Sequence, residues 1–291
     1  MHRIMKLDPY DFQGTLSTLD DIDAWLTSLG HNCHDRIRRY RDNIRQMLGV
    51  ESRNELEALQ ASISWAKARE ILWSYIEADE FVRAVTALRR CFGDHVPAAP
   101  VERALHGPAD LFLETAQNSE GRNFGFELVI AGRLAAAGLV PSFDDGPDVS
   151  FKFAGLRVAV QCKRPLGRAG LEKNIGKAIS QLEADDADIK LVALSASRLV
   201  NAGDPEEIPE VETITDGHRF LEERLRCLAG ETERFWVGKS ARTVVWFYVF
   251  TPIRTLRPFG YHPYRRELLA PFVLDEFTRA IFTCLIQAIG I

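Results

Sequence analysis

The chain has no CxxC pair. Its five cysteines (33, 91, 162, 227 and 284) are scattered and odd in number, which reads as reduced thiols in a cytoplasmic protein and not as a disulfide framework. One zinc-like grouping, His31, Cys33 and His34, has no second ligand pair at a usual spacing. The first nine residues contain no apolar core of signal-peptide length. The most apolar C-terminal stretch is interrupted by Asp275, Glu276 and Arg279, so no membrane span is expected there. Internal repeats and low-complexity tracts are missing. A glycine is also missing where a nucleotide-binding loop would need it. Gly238-Lys239-Ser240 has the end of the motif, but position 233 is Glu. Finally, there is no overall basic excess, because the net charge is −5. Net charge is a poor guide when bases cluster. From Phe151 to Lys177 there are seven bases and one acid, Glu172.

With 291 residues the chain can form one large domain or two small ones. Its first part, residues 1–105, reads as an all-helical module. A stripe of Ile22, Trp25, Leu26 and Leu29 predicts a helix over 18–29, capped by Asp20 or Asp21. Asn32 to Leu48 predicts a helix rich in arginine, with Ile37, Tyr40, Ile44 and Leu48 as its buried stripe. Those arginines read as a solvated face paired with acids, or as phosphate contacts. Ser52 and Glu55 have capping-box spacing. A helical pattern then continues to Leu88, and prolines 97, 100 and 108 mark a connector.

Residues 106–291 alternate between the two periodicities. Phe124 to Gly138 predicts a helix carrying one acid, Glu127. Leu139 to Phe143 reads as a short strand. Asp144-Asp145-Gly146-Pro147 is turn chemistry. Two further runs, Val149–Phe153 and Leu156–Val160, are joined by Ala154-Gly155 as a β-hairpin. The pairing sets Asp148 near Gln161 and Lys163. Strand alternation puts Gln161 and Lys163 on one face and Cys162 on the other. A carboxylate, an amide oxygen and an ammonium at one point suit Mg²⁺-assisted phosphodiester chemistry. Leu171 to Ala184 predicts an amphipathic helix with Lys173, Lys177 and Gln181 on one face. Ile189–Leu194 and Thr243–Phe250 read as strands, 218–228 as a helix and Phe272–Ile289 as a closing helix. The fold class is therefore α/β.

Pro147, Asp148, Gln161 and Lys163, with the helix of Glu127 before them and the helix of Lys173 after them, resemble the catalytic core of the PD-(D/E)XK, restriction-endonuclease-like nucleases. The resemblance covers roughly residues 122–250. Gln161 stands where that pattern usually has Asp or Glu. The helical module of residues 1–105 lies outside the resemblance, which implies that the second domain (106–291) is a mixed-sheet nuclease domain with an αβββαβ core. The resemblance also implies a Mg²⁺-dependent endonuclease acting on DNA, with Mn²⁺ able to substitute. Asp148, Gln161 and Glu127 would hold the ion, with the backbone carbonyl of Cys162, and Lys163 would position or activate water. Arg164, Lys173, Lys177 and Gln181 would contact DNA. Restriction, phage defence, transposition and repair all use such nucleases, as a homodimer or as a subunit of a larger system. Two other readings stand beside this one. The first is a catalytically inactive relative that binds nucleic acid or a partner protein, favoured by Gln161. The second is a helical adaptor in which the α/β half is only support.

Overall fold

The computed structural model describes residues 12–31, 34–48, 58, 62–108, 113–143, 146–200, 208–235, 243–271 and 276–290. The expected cap at Ser52, Cys33 of the zinc-like grouping, the acids Asp144 and Asp145, and the Gly-Lys-Ser run at 238–240 lie outside them.

Among the described residues there are eight α-helices and one six-stranded mixed sheet. The first half is helical: α1 (Phe12–Ser28), α2 (His34–Arg45), α3 (Trp65–Phe92) and α4 (Ala98–Ala104). α5 (Glu120–Ala136) leads to the hairpin β1 (Val149–Phe153) and β2 (Leu156–Lys163). Then come α6 (Leu171–Glu183), β3 (Ile189–Ser195), β4 (Glu210–Thr213), α7 (Ile214–Glu233), β5 (Thr243–Arg257), β6 (Phe259–Pro271) and α8 (Glu276–Ile289).

β1 and β2 pair antiparallel, and β2, β3 and β5 run parallel. β6 lies antiparallel along β5 from Val244 to Leu256, so β3 and then β4 take β5's other edge. The hairpin turns at Ala154 and Gly155, with φ of 52° and 81°. This left-handed pair matches the twist of the flanking strands, and a glycine adopts it without strain. Only a bridge between Ser142 and Ser150 forms where a strand over 139–143 is predicted. Pro141 removes one ladder donor in that short segment.

The sheet is covered on both faces. Val158, Val160, Cys162, Leu191, Ala193, Trp246 and Tyr248 share one apolar core with α1, α2, α3 and α5. Ala159, Val192, Leu194, Val245 and Phe247 share a second core with α6 and α7. Burial on both faces explains why β3 and β5 read as continuous apolar runs. Close packing of α3 on α5 depends on Gly132, where an added Cβ would lie 2.5 Å from the Cα of Ala84.

Several boundaries differ from the sequence reading. α1 begins at Phe12, so Asp20 is not a cap. It and Asp23 instead bind Arg41 of α2, at 2.6 and 2.9 Å. Arg39 pairs with Glu70 at 2.6 Å. The arginines of α2 are thus largely matched to neighbouring acids. β6 was not expected at all. Its Gly, two prolines and mixed polar residues hide the strand period, and pairing along β5 supplies what propensity lacks.

Candidate active site

Asp148 immediately precedes β1, opposite Gln161 in the hairpin register that pairs Val149 with Val160. Its Oδ2 accepts a hydrogen bond from the Cys162 backbone N–H at 2.7 Å. That bond fixes the carboxylate against β2. Gln161 and Lys163 project from the same face of β2, and the Lys163 Nζ donates to the Gln161 Oε1 at 3.0 Å. The same ammonium lies 3.4 Å from the Asp148 Oδ2. Two oxygens of different residues therefore converge on one positive charge. Gln161 is 1% exposed, whereas the Asp148 side chain keeps 21% of its surface open. The Lys163 side chain keeps 11%.

Glu127 on α5 completes the local electrostatics. Burial, with the nearby charge of Asp148, pushes its carboxyl up to about 8, against the attraction of Lys163 and Arg103. Repulsion from Asp148 is the mark of two acids sharing one neighbourhood. The Cys162 side chain turns the other way, into the core with α5. Burial, then the charge of Asp148, raises its thiol pKa well above the usual range, so it is an inert neutral thiol.

The donor set fits a hard divalent cation. It offers one carboxylate and one amide oxygen, both in contact with the Lys163 ammonium, and a second acid that feels the charge of Asp148. Mg²⁺ binds through one or two protein oxygens and keeps several waters. Among the described residues no group of three His, Cys, Asp or Glu converges as a closed protein cage.

The remaining sequence candidates divide. Lys173, Lys177 and Gln181 are all exposed on α6, on a common face. Arg164 is elsewhere. It donates to Glu114 at 2.5 Å, in an ion pair with 12% and 0% of the two side chains exposed. Arg198 binds the other Glu114 oxygen at 3.0 Å. Sequence reasoning passed over this pair, and also over Arg122, which grips Glu77 through Nε at 2.6 Å and Nη2 at 3.2 Å. These partners are separated by 45 to 84 positions, so no local spacing signals them.

No family model matches this chain, and no curated protein or solved structure is detectably similar to it. Among the described residues no helix is long and apolar enough to cross a membrane.

Proposed function

We propose that the chain is a Mg²⁺-dependent endonuclease with a restriction-endonuclease-like core, hydrolysing phosphodiester bonds of DNA. The observation that carries this reading is the convergence of the Asp148 Oδ2 and the Gln161 Oε1 on the Lys163 Nζ, at 3.4 and 3.0 Å. A bound divalent ion would supply Lewis-acid stabilisation of charge developing on phosphate. Asp148 and Gln161 would hold it, with Glu127 beside them. Asp148 is held in place by the Cys162 N–H, so little reorganisation is needed on binding. Lys163 orients the attacking water and neutralises negative charge on the phosphate. The exposed face of Lys173, Lys177 and Gln181 is suited to the DNA backbone.

The test is incubation of the protein with plasmid, linear, single-stranded and RNA substrates in Mg²⁺ or Mn²⁺. Cleavage of DNA is expected, with loss in EDTA and in Lys163→Ala. Absence of cleavage across the panel would refute the reading. One observation favours a second reading, a nuclease-fold protein that binds nucleic acid without cutting it. The ligand position carries an amide, and Lys163 already satisfies it. On that reading the protein retards DNA in a mobility shift, and Lys163→Ala leaves the shift intact.

A further inference from the structure

Among the described residues, Lys163 is the one cationic partner of the two oxygens assigned to the ion. Its Nζ lies 3.4 Å from the Asp148 Oδ2 and 3.0 Å from the Gln161 Oε1. An ammonium has three donors and no acceptor. Two of those donors are taken by these oxygens.

Both contacts follow from the fold. Gln161 and Lys163 are two positions apart on β2, so strand alternation puts them on one face. Gln161 is 1% exposed, and a buried amide oxygen needs a donor. The Lys163 side chain keeps only 11% of its surface, and an ammonium so nearly buried needs a counter-charge. Asp148 supplies it, steadied by the Cys162 N–H at 2.7 Å. The attraction of Lys163 also acts on Glu127, against repulsion from Asp148. The ammonium therefore lets two acids share one neighbourhood.

A divalent ion would need the same oxygens. Mg²⁺ takes its ligands at about 2.0–2.1 Å. An ion bound to both oxygens and an ammonium hydrogen-bonded to both cannot fill the same space, and they repel each other.

We propose that Lys163 is a placeholder for the ion: its ammonium occupies the cation position of the metal-free protein and must withdraw before a divalent ion enters. This inference rests on the reading of Asp148 and Gln161 as the ion's ligands. The exchange is favourable because attraction scales with charge, so at equal distance a divalent ion gains about twice what the ammonium loses. Lysine also has a flexible four-carbon stem, which can swing its charge aside without moving β2. Lys163 is thereby tied to its partners while the metal is absent. It becomes available to the attacking water once the metal is in place.

The experiment measures metal binding without DNA. Mn²⁺ is titrated into the full chain, wild type and Lys163→Met, and free Mn²⁺ is followed by electron paramagnetic resonance. The variant keeps most of the stem and removes the charge. It should bind Mn²⁺ at least about tenfold more tightly, the release of one charge-assisted contact, although it does not cut DNA. In EDTA it should melt below wild type, and Mn²⁺ should close that gap. A lysine that acts on water alone changes neither quantity. Lys152→Met, exposed on β1, should leave Mn²⁺ affinity nearly unchanged, which separates contact from overall charge. Anomalous diffraction from wild-type crystals grown with Mn²⁺ is a second measurement that needs no variant. It should find the ion between the Asp148 Oδ2 and the Gln161 Oε1, with the Lys163 Nζ withdrawn from both. An ion bound there while Lys163 keeps both contacts overturns the proposal. So does an unchanged or weaker Mn²⁺ affinity in Lys163→Met; if wild type binds Mn²⁺ and cuts DNA, the ligand reading survives that result. Absence of Mn²⁺ binding in both proteins refutes the ligand reading and the placeholder with it. Binding by the variant alone supports the placeholder, the ammonium then closing the site.

Discussion

Gln161→Glu tests the site most directly. The side chain is 1% exposed, and its Oε1 accepts from Lys163 at 3.0 Å. Exchanging amide for carboxylate keeps the shape and adds one full negative charge at that oxygen. The new charge is buried, a cost of several kcal/mol if unpaired. The Lys163 ammonium is already in contact, so much of that cost is offset. Relative to the amide, a charged acceptor strengthens such a contact by about 1.5–3 kcal/mol. If the same oxygen faces a divalent ion, affinity should rise by about 10- to 150-fold. Mn²⁺ binding, followed by electron paramagnetic resonance, measures this without reference to turnover. DNA cleavage, measured in parallel, should be kept or raised. If wild type is a non-cutting binder, the variant should gain activity. The reasoning fails if Mn²⁺ affinity is unchanged, or if the variant is inactive while wild type cuts.

Glu114→Gln should destabilise the fold by about 3–5 kcal/mol, because two nearly buried guanidiniums lose their shared counter-charge; urea denaturation showing a loss below about 1 kcal/mol would contradict this. Glu80 has a folded pKa of about 8, above its unfolded value of about 4.3. The native state therefore holds the extra proton, and the stability this confers is full below that unfolded value and declines as pH rises towards 8. Glu80→Gln should accordingly leave stability nearly unchanged at pH about 4 and raise it at pH about 9, as chemical denaturation at the two pH values will report. Gly132→Ala places a Cβ 2.5 Å from the Ala84 Cα, a backbone atom that cannot swing aside. It should lower stability by about 1–3 kcal/mol as an overpacking change, and a melting temperature equal to wild type would count against the tight α3–α5 approach.

The cluster of Asp148, Gln161 and Lys163 is legible in the sequence because a hairpin is local. Ala154-Gly155 fixes the turn, the turn fixes the register, and the register puts Asp148 opposite Gln161. The three side chains arrive together through 15 residues of chain. Helices α3, α5 and α6 were legible for a similar reason, since their apolar stripes have the helical period. What was hidden is non-local. Arg164 looks like a surface base, yet Glu114, which pairs with it, is 50 positions away. Asp20 looks like a cap, until Arg41 of the next helix claims it. β6 takes its structure from β5 and not from its own composition. Spacing alone shows Glu127 only as one acid on a helix; the resemblance puts it with Asp148, and the charge of Asp148 acts on it because α5 packs on the sheet.

The shared core of α1, α2, α3 and the sheet has a practical consequence. Trp246, Tyr248 and Phe250 turn their side chains toward residues contributed before position 105. A fragment starting at residue 106 would present that aromatic wall to water, beside an arginine cleft missing Arg36 and Glu77. Such a fragment should aggregate on expression, and adding back residues 1–105 as a separate polypeptide should restore solubility only if the two pieces re-form that wall.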